Sequence, residues 1–140
     1  MMEFIIRASR PPFIPLPSLY IRPLVRRLAE RCRDLMVKRA PMRTGELARS
    51  IRYEVRGDTA IVGPTVPYAP YVEFGTRPHE IRPRRAKALR FVVGKWWEPR
   101  RVVYARRVMH PGFRGRFFAR HTVEDLHSEV PGIFAEVFRP

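Results

Sequence analysis

At 140 residues, 45% of them hydrophobic, the chain has the length and apolar content of one domain with a single core, which leaves little room for a two-domain reading. No run approaches the roughly 18 apolar residues that cross a bilayer, and the N-terminus lacks the basic start, apolar stretch and small-residue cleavage site of a signal peptide, so the sequence reads as soluble and intracellular. One cysteine, Cys32, excludes an intrachain disulfide or a multi-thiolate zinc site, and 28 Lys and Arg against 13 Asp and Glu give a net charge of +15 that favours phosphate or an acidic protein surface.

Arginine supplies 25 of the 28 cations, Asn and Gln are absent, and the 15 prolines are about twice the usual frequency. Loss of amides and gain of loop prolines is a pattern of thermophilic proteins; a GC-rich genome is the other source of such arginine use.

In chain order, Glu3 to Ala8 (EFIIRA) is short and apolar, compatible with a strand. Pro11 to Pro17 (PPFIPLP) reads as an extended connector, because each proline removes a backbone donor and restricts its predecessor. From Ser18 to Ala40 the period changes: Leu24, Val25, Leu28, Cys32, Leu35 and Met36 recur at spacings of three and four, predicting an amphipathic helix with Pro23 in its first turn and Pro41 at its end. Cys32 falls on the apolar face as a small core residue. Thr44 is placed to cap a short helix toward Ile51, with Glu46 in its first turn. Ile51, Tyr53 and Val55 alternate with Arg52, Glu54 and Arg56, the period of a strand with one buried face; Gly57-Asp58 marks a turn and Ala60 to Gly63 a returning strand.

Val62 to Thr76 (VGPTVPYAPYVEFGT) is a nearly neutral, aromatic stretch. Tyr68 to Phe74 predicts one or two helical turns with Tyr68, Tyr71, Val72 and Phe74 packed on the sheet, ended by Gly75 in a left-handed conformation. Glu73, its one charge, reads either as solvated or as facing an arginine of a neighbouring subunit. Thr76 to Arg120 then holds fourteen Lys or Arg against Glu80 and Glu98, a net of +12. Inside it Ala88 to Val93 and Val102 to Val108 predict a second, longer hairpin whose tip carries Trp96 and Trp97. A second helix is expected to open at Thr122, with Glu124 and Asp125 in its first turn and a kink or restart at Pro131.

Three stretches, APMRTGELARSI at Ala40 to Ile51, VGPTVPYAPYVEFGT at Val62 to Thr76 and HPGFRGRFFAR at His110 to Arg120, together resemble the gp-ten-like tail-component or neck protein family of HK-type tailed bacteriophages and proviruses. The matching positions are Ala40, Pro41, Thr44 and Gly45; Tyr68, Ala69, Tyr71, Glu73, Gly75 and Thr76; and His110, Pro111, Gly112 and Phe117. The resemblance implies a structural protein of the head-to-tail junction, acting in tail completion and head-tail joining as a homo-oligomeric ring between the head connector and the tail tube or terminator proteins. It places the protein in the virion, and in the host cytoplasm during assembly.

Catalytic chemistry finds little support in the residues. None of Ser9, Ser18, Ser50 and Ser128 lies in a nucleophile elbow, and neither a P-loop nor a Gly-x-Gly-x-x-Gly run is present. His79, Glu80 and His110, or His121, Glu124 and His127, are the conceivable metal sets; the latter drifts about 60° per step around a helix, too wide for one ligand face. The reading is not an enzyme, with no cofactor and no metal. The rival class is a small basic nucleic-acid-binding protein, carried by Arg82 to Arg90 and the aromatics after it.

The expected fold is α+β: a small, mostly antiparallel sheet of two hairpins with a long helix packed across it and a C-terminal helix, forming one domain over 18–140 behind an N-terminal strand and Pro-rich arm over 1–17. Trp96, Trp97, Glu73, Phe113 and Phe117 are the expected subunit or partner contacts. Arg82, Arg84, Arg85, Lys87, Arg100 and Arg101 are the expected channel or phosphate contacts, touching genomic DNA without reading its sequence.

Overall fold

In the computed structural model, which describes residues 3–7, 18–95 and 97–139, the three-and-four spacing after Ser18 forms one helix, α1 (Ser18–Arg39). Ile21, Val25, Leu28, Ala29, Cys32, Leu35 and Met36 line its buried face. Starting at Ser18 puts Pro23 inside the helix rather than in its first turn, where it forgoes one backbone bond; the burial of Ile21 and Val25 on either side holds the turn. The proline-rich connector expected at 11–17 and Trp96 lie outside the described residues.

The described residues fall into two compact units, Met1–Phe74 with Gly115–Pro140, and Gly75–Arg114. In the first unit, α1 is followed by α2 (Glu46–Ser50) and a hairpin of β2 (Ile51–Arg56) and β3 (Thr59–Pro64), turned at Gly57 with φ +64°. The short apolar segment near the N-terminus is β1 (Phe4–Arg7), which pairs antiparallel with β3, giving the order β1-β3-β2. Alternation decides which face is covered: Ile51, Ala60 and Val62 are buried, whereas Arg52, Glu54 and Arg56 point outward. α1 packs across this sheet, and the Tyr53 hydroxyl donates to Glu30 Oε1 at 3.1 Å. α3 (Ala69–Phe74) follows the hairpin, and α4 (Phe118–Val137) lies beside α1. α4 runs unbroken through Pro131.

The core cluster lies entirely in this unit: Phe118, Ala119, Leu126 and Ile133 of α4 meet the α1 face and the sheet. Around it three guanidinium-carboxylate pairs strap the two long helices: Arg27 to Glu136, Arg31 to Glu129, and Arg39 to both oxygens of Asp125.

The second unit contains the longer hairpin expected from the sequence, but it does not extend the first sheet. Its strands are nested: β4 (Gly75–Thr76) pairs with β9 (Phe113–Arg114), β5 (His79–Ile81) with β8 (Val108–His110), and β6 (Leu89–Val93) with β7 (Arg101–Ala105). The chain thus runs out and back once as an interrupted antiparallel ribbon. Pro78, Pro83, Pro99 and Pro111 fall in the breaks, each lacking the N–H that a ladder needs. Among the described residues of this unit no side chain is fully buried.

Candidate functional site

The residues of α3 divide by face. Ala69 and Glu73 are buried and Val72 packs against the core, while Tyr71 and Phe74 are 59% and 63% exposed. Tyr68, one turn before Tyr71, is also exposed and donates its hydroxyl to Glu46 Oε2 at 3.0 Å; partial desolvation first, and then that bond, raise its pKa. The expectation that these aromatics anchor the core is therefore corrected. Ala69, Val72 and Glu73, spaced by three and four, occupy the inner face, which turns Tyr68, Tyr71 and Phe74 to solvent.

Glu73 is 2% exposed, and its partner is in its own chain. Oε2 accepts from the Ala119 N–H at 2.9 Å and Oε1 from the Arg120 N–H at 3.1 Å. These are the second and third residues of α4, whose first N–H groups have no partner within the helix. No acidic side chain of α4 itself stands in its first turn, so Glu73 supplies the negative charge that the positive end of the helix dipole favours. This replaces the sequence reading of Glu73 as a contact to a neighbour: both of its oxygens are taken. Glu124 and Asp125 fall in the second turn because α4 opens four residues before Thr122.

Backbone closes the same junction. Arg116 N–H donates to Val72 O at 2.8 Å and Phe117 N–H to Glu73 O at 3.1 Å. Phe117 stands at φ +51°, left-handed and costly for a bulky residue, and its carbonyl accepts the His121 N–H at 3.0 Å. The Arg120 guanidinium lies 4.8 Å from the Phe117 ring centroid. Gly115 is obligatory here, since a Cβ would sit 2.2 Å from Glu73 O. The one signal in the sequence for this lock is negative: Gly115-Arg116-Phe117 offers α4 no Ser, Thr, Asp or Asn to cap it.

The ribbon uses the neighbouring motif residues in a similar way. Gly75 and Thr76 pair with Arg114 and Phe113, and Gly112, at φ +77°, approaches so closely that a Cβ would meet Thr76 O at 2.3 Å. His110 Nδ1 accepts the Gly112 N–H at 3.0 Å, and the His110 ring stacks on that of His79 across the strands at 5.1 Å. Thr76, at the end of one motif, and Gly112 and Phe113, near the start of the other, thus face each other across one short strand pair.

Of the other residues singled out by sequence, Trp97 is 60% exposed and Phe113 is exposed, while Phe117 is half-buried. Arg84, Arg85, Lys87, Arg100 and Arg101 are all exposed. Arg82 bonds Glu80 at 2.9 Å, and Arg107 approaches the same carboxylate at 3.8 Å. Cys32 is buried, and burial pushes its thiol up to about 11, unsuited to a nucleophile. His121 Nδ1 lies 3.0 Å from Glu124 Oε2. Among the described residues no group of three or more His, Cys, Asp or Glu is placed to hold a metal ion, and no helix is long and apolar enough to cross a membrane.

No curated protein and no solved structure matches the chain. A family model does: residues 19–75, which carry α1, the β2–β3 hairpin and the Glu73 end of the lock, match the family described as "Bacteriophage HK97-gp10, putative tail-component".

Proposed function

We propose that the chain is a structural protein of the head-to-tail junction of a tailed phage or provirus, acting in tail completion and head-tail joining. The family match supports the tail-component level of this reading. The observation that carries it further is the contrast between inner and outer residues of the matched motif. Glu73 is spent on holding the chain together, whereas Tyr71 and Phe74 stand in solvent beside it. Exposed aromatics on a rigidly held helix suit an assembly surface.

Copies of the chain close into a ring, with the head connector on one side and the tail tube or its terminator on the other. Trp97, Phe113 and Phe117 contribute to subunit contacts, and the protein passes from host cytoplasm into the virion as assembly proceeds. A unit in which no described side chain is fully buried gains order when neighbours cover it.

Light scattering across protein concentration, at low and high salt, tests the reading. A discrete ring-sized species, alone or on mixing with head-connector and tail-tube proteins, is expected. A monomer under every one of these conditions overturns it.

A further inference from the structure

The two units handle their cations differently. In the first, Arg27, Arg31, Arg33, Arg39 and Arg56 each meet a carboxylate. In the second, Gly75–Arg114, twelve Lys and Arg stand against Glu80 and Glu98 alone, a net of +10 in a stretch of 40 residues. The ion pairs found there all end on Glu80.

Strand register turns this charge into a surface. Along β6 and β7 the pairs Leu89 with Ala105 and Phe91 with Val103 are half-buried and share one face with Val93 and Arg101; Arg90 with Tyr104 and Val92 with Val102 lie on the other face and are exposed. Tyr104 is 66% and Val92 52% exposed. The open face therefore has an apolar centre with Arg90 beside Tyr104 at one end; Arg101, paired with Val93, belongs to the opposite face, and Arg100 precedes β7. None of these three is in an ion pair among the described residues.

The geometry points to duplex DNA as the ligand of this ribbon, bound without sequence preference. Arg90 and Arg101 are three pair rows apart and so project from opposite faces, which sets cations on both sides of a ribbon, and a major groove about 12 Å wide admits such a two-stranded ribbon. Cations from both faces then reach the phosphates, while Tyr104 and the valines meet sugars and base edges. An acidic protein is the poorer fit. Protein interfaces are depleted of charge at their centres, whereas in this unit twelve cations stand against two carboxylates.

The test is binding of the whole chain to a labelled, random-sequence 20-base-pair duplex over a salt series, with matched single-stranded DNA and polyglutamate as competitors. Replacing Arg90, Arg100 and Arg101 together by Ala is expected to flatten the plot of log affinity against log salt by about 2.7, three phosphate contacts at about 0.9 each. The matched triple Arg22→Ala, Arg26→Ala, Arg43→Ala in the first unit should leave the slope unchanged. Lys at the three ribbon positions should restore it, which separates lost charge from lost folding. Tyr104→Ala should lower affinity at constant slope, because it removes contact area without charge. Equal losses from the two alanine triples would overturn the proposal, since diffuse charge then suffices. So would polyglutamate competing as well as duplex at equal charge, or single strands binding more tightly than duplex. None of these results depends on ring formation, so this inference and the junction reading can fail separately.

Discussion

Replacing Glu73 by Ala removes the acceptor of two N–H groups at the start of α4, bonded at 2.9 and 3.1 Å around a side chain only 2% exposed. A hydrogen bond to a charged group contributes about 1.5–3 kcal/mol, and a donor left buried without a partner costs a comparable amount. Two such bonds, with allowance for a water replacing part of the loss, put Glu73→Ala at about 3–5 kcal/mol. That is a large fraction of the roughly 5–15 kcal/mol that holds a domain of this size. Glu73→Gln keeps one carbonyl acceptor but presents an amide N–H to the other donor and loses the charge, for about 1–3 kcal/mol. Urea unfolding followed by far-UV circular dichroism measures both, with an unchanged m-value as the sign that the same transition is being read. Glu46→Ala, which frees only an exposed tyrosine hydroxyl, should stay within about 0.5 kcal/mol of the parent. A Glu73→Ala midpoint indistinguishable from the parent would refute the lock, and a Glu73→Gln midpoint equal to the parent's would show that the charge at the helix end is irrelevant.

Gly115→Ala should destabilise by at least as much as Glu73→Gln, because its Cβ would lie 2.2 Å from a carbonyl that cannot move without breaking the Phe117 bond; thermal unfolding measures it. Asp125 and Glu129 are held below the ordinary carboxylate range, first by their hydrogen bonds to Arg39 and Arg31. Their stabilisation is complete above their ordinary values of 3.8 and 4.5 and is lost as pH falls through the lower folded values. The urea midpoint should therefore drop below about pH 4.5, and less steeply in an Arg31→Gln, Arg39→Gln variant; equal slopes would count against the pairs. Amide hydrogen exchange should be fast across 89–105 and slow across 25–36 in the isolated chain, with the ribbon gaining protection on assembly or on duplex DNA. Slow ribbon exchange in the monomer would remove the argument that it needs a partner.

The elements legible in the sequence are those whose signal is local and periodic. The spacing of Val25, Leu28, Cys32 and Met36 identifies α1, and the alternation from Ile51 to Arg56 identifies the first hairpin, because one face of each is decided by burial in the same core. The second hairpin was legible in its strands but not in its connection, since register within a pair says nothing about which sheet the pair joins. The start of α4 was misread for a definite reason. Local capping rules look for an acid or hydroxyl within three residues, and here the cap comes from Glu73, 46 residues before Ala119. The face of α3 was misread by the same rule that served α1: large aromatics were assigned inward, although Ala69, Val72 and Glu73 carry the three-and-four spacing and a buried carboxylate with two backbone donors is as well satisfied as an apolar side chain.

The placement of charge connects the fold to the proposed roles. Along α1 and α4, Arg27, Arg31 and Arg39 each join a carboxylate on the partner helix, so these three cations of the first unit add to cohesion. A ribbon with no fully buried side chain among its described residues has little there to offset self-repulsion, and +10 across 40 residues works against its own compact state. Replacing a few of its arginines with glutamate would relieve that repulsion in the isolated chain. The sequence instead keeps the cost and surrounds Tyr104, Val92 and Val102 with it. Such an arrangement becomes favourable only against something that is both anionic and able to cover an apolar strip. Within the ribbon, the pairing of Gly75 and Thr76 with Arg114 and Phe113, and the close approach of Gly112 to Thr76, tie its two ends together, so its cations stand on a closed loop of chain.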